Sequence, residues 1–95
     1  MATFYIGPTG QTLYVRIQTG AATFVATALT EGSTSLLNHY AVADATIAGL
    51  TGMSVAGDYP YQVRVGTPST TAADNLVGYG TLYWTGSTER PASAN

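Results

Sequence analysis

From Thr12 to Gln18 the chain alternates without a break. Leu13, Val15 and Ile17 fall on one side, and Tyr14, Arg16 and Gln18 on the other. Only an extended strand gives successive residues opposite environments, and a strand patterned this way buries one face in an antiparallel sheet. The period returns from Gly57 to Gly66, where Tyr59, Tyr61, Val63 and Val65 oppose Asp58, Pro60, Gln62 and Arg64. It returns again from Leu76 to Trp84: Leu76, Gly78, Gly80, Leu82 and Trp84 share one face, and Val77, Tyr79, Thr81 and Tyr83 the other. Thr3 to Ile6 and Thr23 to Leu29, rich in β-branched and apolar residues, read as further strands. Leu36, Tyr40, Ala43 and Ile47 stand at helical spacing, but Tyr40, Val42 and Asp44 alternate with small residues. Tyr40 to Ile47 is therefore read as a strand, preceded by one helical turn at Ser35 to Asn38.

Turn chemistry separates these runs. Gly7-Pro8-Thr9-Gly10 suits a tight reversal, so the first two runs are expected to form a hairpin, with Met1 to Ile6 as a swapped or docking arm in the alternative. Residues 31–35 and 66–75 read as polar loops. Pro60 cannot donate to a ladder and marks a strand start, an edge or a bulge. The last two long strands suggest a hairpin in which Val65 faces Leu76, Val63 faces Gly78, Tyr61 faces Gly80 and Gly57 faces Trp84. Large residues then lie over glycines, which fills a core without strain. About six short strands with turns between them make a sandwich or small barrel. No internal repeat is evident. The 95 residues form one domain, with residues 1–10 as a candidate N-terminal arm and 87–95 as a frayed tail.

A chain of this length buries only about 60–65% of its unfolded surface, enough for one thin core but not for a deep enclosed active site as well. With no cysteine, disulfides and thiolate metal sites are excluded. Charge is scarce: 8% of residues, against about 25% in typical soluble domains. The cations are Arg16, Arg64 and Arg90, lysine is absent, and the net charge is -2. Nucleic acid, which demands several cations on one face, is not an expected partner, nor is an anionic membrane. Either Thr, Ser and Gly cover the surface, or much of it is buried against other chains, since interface centres are poor in charge and rich in Tyr and Trp. Residues 1–10 lack the basic and apolar regions of a signal peptide, and no apolar run nears the ~18 residues of a membrane span. A chain made and folded in a cytoplasm is the expectation.

The segment Ala56-Gly57-Asp58-Tyr59-Pro60-Tyr61-Gln62-Val63-Arg64-Val65, then a polar loop, then Asp74-Asn75-Leu76-Val77-Gly78-Tyr79-Gly80-Thr81-Leu82-Tyr83-Trp84-Thr85-Gly86, resembles small β-sandwich proteins of phage and prophage structural modules. Their outline is G-x-Y-x-V-x-V, a loop, then D-x-L-V-G-x-G-x-I-x-W-x-G. Leu13-Tyr14-Val15-Arg16-Ile17 and Tyr40-Ala41-Val42 look similar to that family's opening strands. Where a glycine after an aspartate often follows the tryptophan pattern, this chain has Thr85-Gly86. The motif consists of strand, turn and core residues and so speaks to fold more than to task. The resemblance implies an antiparallel Ig-like sandwich acting as a virion component, made in the host cytoplasm. Such proteins often decorate or cement an icosahedral head, and others sit on tails.

Residues capable of chemistry are few. His39 is the only histidine. Ser35 and Asp44 are near it in sequence, but no nucleophile elbow surrounds them, so a triad is not expected. Asp44, Asp58 and Asp74 match no calcium loop, and Asp58 and Asp74 fit turns. Glu31 and Glu89 sit in loops without the apolar setting that a glycosidase acid needs. The Gly49-Leu50-Thr51-Gly52 stretch lacks the lysine of a phosphate-binding loop. Trp84 with Tyr79 and Tyr83 could form a sugar platform, yet period two sends Trp84 to the core and the tyrosines to the opposite face. No enzyme activity and no cofactor are expected.

The expected function is therefore a non-enzymatic structural or binding surface, most concretely a capsid decoration protein touching the major capsid protein or other virion proteins, as a homo-oligomer or bound to the lattice. The alternatives are a tail or connector component and a carbohydrate-binding adhesin module. The expected contacts are Phe4 and Tyr5 on the arm, Pro68 and Thr70 in the loop, the 89–95 tail, and the outward tyrosines Tyr14, Tyr79 and Tyr83.

Overall fold

A computed structural model describes residues 1–33, 37–71, 75–86 and 93–94 of the chain. The strands are β1 (Ala2–Ile6), β2 (Leu13–Gly20), β3 (Thr23–Ala28), β4 (Thr30–Glu31), β5 (His39–Val42), β6 (Gly57–Val65), β7 (Leu76–Trp84) and β8 (Ser93–Ala94), with a short helix α1 (Asp44–Ala48) between β5 and β6. They form two antiparallel sheets, ordered β1-β5-β4 and β3-β2-β6-β7-β8. The protein is all-β, and its two sheets share one core as a sandwich.

The core follows period two except at Val65 and Leu76, which are 41% and 49% exposed, and it adds Ile47 and Met53. Leu13, Val15 and Ile17 of β2, Tyr61 and Val63 of β6, and Leu82 and Trp84 of β7 meet Ala2 and Phe4 of β1 and Tyr40 and Val42 of β5 in one buried cluster. Fully burying a side chain of this size contributes about 1.5–3 kcal/mol. Trp84 also donates its Nε1–H to the Met53 carbonyl at 2.6 Å, so its polar edge is satisfied inside the core.

The expected β6–β7 register holds for Val63 with Gly78, Tyr61 with Gly80 and Gly57 with Trp84. It fails at Val65 with Leu76, because a bulge between Val63 and Arg64 pairs Arg64 with Leu76. The extra residue, Val77, turns in against the core, and Leu76 is 49% exposed rather than inward. Pro60 lies just beyond Tyr61, the last β6 residue paired with β2. There β6 has only β7 beside it, so the missing N–H interrupts no ladder on the β2 side.

Two local readings are corrected. The first two runs do not form a hairpin. β1 pairs with β5 in the smaller sheet, and the 7–12 connection crosses between the layers. Tyr40 Oη pins that crossing: it donates to the Pro8 carbonyl at 2.6 Å and accepts from the Gln11 amide at 3.0 Å. Tyr40 to Ile47 is not one strand either, since β5 ends at Val42 and α1 begins at Asp44. The turn into α1 brings Ile47 to 0% exposure, and this packing overrides the β-preference of Thr46 and Ile47. Of the helical turn expected at 35–38, Ser35 and Leu36 lie outside the described residues. Leu37 and Asn38 form a turn, with Asn38 at φ +73°.

Candidate functional site

The face of the larger sheet turned away from the core carries the chain's unusual side chains. Strand alternation puts Tyr14, Arg16 and Gln18 of β2 there, together with Phe24 of β3, which pairs with Gln18. Gln62 and Arg64 of β6 lie opposite Arg16 and Tyr14. Tyr79 of β7 lies opposite Gln62, and Tyr83 opposite Asp58. Tyr14 and Arg16 are only 2% and 7% exposed, yet neither belongs to the core cluster. Part of this face is covered by the 66–71 segment, tied down where Arg16 Nε donates to the Thr70 carbonyl at 2.9 Å.

Where that cover ends, a depression of about 190 Å³ opens, lined by Arg16, Gln18, Phe24, Gln62, Leu76 and Tyr79 among others. The Arg16 guanidinium lies 3.5 Å from the centre of the Phe24 ring, a cation–π contact. Its Nη1 donates to Gln62 Oε1 at 2.9 Å. The same oxygen accepts from Arg64 Nε at 3.2 Å and Nη2 at 3.0 Å. One neutral amide oxygen with two lone pairs thus serves two guanidinium groups. Among the described residues no carboxylate pairs with Arg16. Beside the depression, β7 presents Leu76, Tyr79 and Tyr83 at 49%, 78% and 45% exposure.

The expected contact residues separate into groups. Tyr79 and Tyr83 stand exposed on the outer face, and Pro68 and Thr70 are exposed in the loop beside it. Tyr14 is on the same face but buried. Phe4 is in the core, edge-on to Tyr61 with ring centres 4.8 Å apart. Tyr5 is half-buried, its ring packed against Gly7 and Gly78. A bulge between Thr3 and Tyr5 turns both consecutive rings inward, so the surface expected of an arm is spent on intramolecular packing. Residues 89–92 and 95 of the tail lie outside the described residues. Sequence reasoning missed Arg16, Gln18, Phe24, Gln62 and Leu76. The first four were reachable, since the non-core phase of β2 and β6 and a β2–β3 hairpin register place them together. The bulge that exposes Leu76 had no signal in the pattern.

Glu31, His39 and Asp44 have structural partners. Glu31 accepts the Gly10 amide at 3.0 Å and the Asn38 amide at 2.8 Å, clasping two turns. The Gly10 amide, with help from Thr9, Asn38 and Tyr40, holds its carboxyl below the ordinary value of 4.5 against the opposing effect of burial. His39 Nδ1 lies 3.1 Å from the Leu37 carbonyl. Asp44 pairs with the Met1 amino group at 3.2 Å. Asp58 is exposed at the start of β6. Ser35, Asp74 and Glu89 lie outside the described residues. Among the described residues no three His, Cys, Asp or Glu side chains gather as a metal site, and no helix is long and apolar enough to cross a membrane. Compared with known proteins, the chain matches no family model, no curated protein and no solved structure.

Proposed function

We propose that this chain is a non-enzymatic virion structural protein that docks on a capsid lattice through the outer face of its larger sheet. It would serve as a decoration protein, made in the host cytoplasm and carried on the head. The observation that carries this reading is the exposed Leu76, Tyr79 and Tyr83 stripe of β7 beside an open depression. Tyr is enriched at interface centres, where charge is depleted, and rings in such settings act as anchors. Low overall charge and the resemblance of the β6–β7 segment to Ig-like sandwich proteins of phage structural modules support it further.

The test is co-sedimentation of the purified protein with phage heads that lack it, alongside its size alone by analytical ultracentrifugation. Saturation at a fixed ratio to capsid subunits, lost in Tyr79→Ser with Tyr83→Ser, is the expected result. Rings forming without heads would replace this reading with a tail or connector role. A monomer that ignores heads but binds glycans would replace it with an adhesin role.

A further inference from the structure

Within that docking face, we infer that the Arg16 depression is a carboxylate-binding subsite, occupied by an Asp or Glu side chain of the partner protein with apolar residues on either side. This rests on the docking reading above and names the chemistry the face recognises. Arg16 keeps only 7% exposure, its guanidinium carbon lies over the Phe24 ring, 3.5 Å from the ring centre, and no carboxylate among the described residues neutralises it. A buried guanidinium carries an unmet electrostatic demand unless an anion joins it. Its neutral acceptor, Gln62 Oε1, is already shared with Arg64. Nε and Nη1 are engaged by Thr70 and Gln62, which fixes the plane of the group and leaves its other donors for an incoming oxygen. Planar, pre-oriented guanidinium is the preferred partner of carboxylate. The rim decides the source. Leu76 and Tyr79 are exposed apolar or aromatic surface, which suits leucine-like neighbours of an acidic residue better than the hydroxyl-covered ring of a sugar acid.

The probe is acetyl-Leu-Glu-Leu-amide, titrated against its glutamine counterpart into isotope-labelled full-length protein, with the Arg16 Nε–H and Tyr79 amide followed by NMR. Saturable shifts at both groups are expected from the acidic peptide, with the glutamine peptide roughly tenfold weaker because a charge-assisted bond becomes a neutral one. Gln62→Glu supplies an internal carboxylate of the same shape. It should keep or raise the melting temperature while abolishing the peptide response. Equal binding of the two peptides, no shift at Arg16 up to the solubility limit, or full binding by a folded Gln62→Glu protein would each overturn the subsite. Saturation by glucuronate in preference to the peptide would overturn the protein assignment. If heads bind wild type and Gln62→Glu alike, the subsite falls and the docking reading stands. If the peptide binds but heads do not, the docking reading falls and the subsite stands.

Discussion

Gly86 and Gly10 form a matched pair for separating backbone strain from packing. Both sit in the left-handed region, at φ +86° and +79°. A Cβ at Gly10 would meet nothing within 4 Å. A Cβ at Gly86 would sit 2.8 Å from the Ala56 amide nitrogen, 3.2 Å from the Ser54 carbonyl oxygen and 3.3 Å from the Val55 carbonyl carbon. These are backbone atoms of the turn that leads into β6, next to the Met53 carbonyl that Trp84 grips, so the clash has no flexible side chain to absorb it. For Gly10→Ala, the left-handed cost of about 1–2 kcal/mol is partly offset by about 0.4–1 kcal/mol from the stiffer unfolded chain, leaving about 0.5–1 kcal/mol. Gly86→Ala adds an overpacking cost of about 1–3 kcal/mol, for a total of about 2–4 kcal/mol. A domain of this size has about 5–14 kcal/mol to lose. At about 4–8 °C per kcal/mol, Gly86→Ala should lower Tm by about 8–32 °C and Gly10→Ala by no more than about 8 °C. Thermal unfolding followed by circular dichroism, with urea midpoints as a check, reads the difference. Equal losses in the two variants would refute the argument, since they would mean that the 54–56 turn moves aside without cost.

Trp84→Phe removes the N–H that the buried Met53 carbonyl accepts and should destabilise by about 1–3 kcal/mol beyond any packing loss, measured by urea unfolding. Glu31 has a depressed folded pKa, so its contribution is present above the ordinary value of 4.5 and disappears as pH falls through the folded value. Wild type should therefore lose stability between neutral pH and about pH 3 by more than Glu31→Gln does, in paired urea melts. Tyr61 behaves oppositely, because burial raises its pKa above 10.0. Its contribution is complete below that value and lost as pH rises through the folded one, and alkaline unfolding should shift upward in Tyr61→Phe. Tyr79→Ser, at an exposed position, should change stability by less than about 0.5 kcal/mol while weakening head binding, which separates an interface role from a folding role.

Much of the sandwich is legible in the residue pattern. Period two marked β2, β6 and β7 and chose their core faces, because a residue's side of a sheet is a property of local backbone geometry. The Val63–Gly78, Tyr61–Gly80 and Gly57–Trp84 pairs came from matching bulk to glycine across one hairpin. The outward phase of Tyr79 and Tyr83 was set by the same rule. Local pattern leaves open which strand pairs with which. β1 leaves its sequence neighbour for β5, and only the tertiary contacts made by Phe4, Tyr5 and Tyr40 decide that choice. α1 likewise forms where the sequence favours strand, because Ile47 gains full burial there. Local pattern gave no sign of the bulges either: the one in β1 brings Phe4 and Tyr5 both against the core, and the one at Val77 turns Val77 in and Leu76 out while Gly78 to Trp84 keep their expected phase. The candidate site shows the same division. Sequence alone determined that Arg16 points away from the core. The 66–71 segment, the Phe24 ring and Gln62 bury it beside an open depression, and that arrangement brings together residues 8 to 54 positions away in the chain, at distances that side-chain packing fixes and local preference does not.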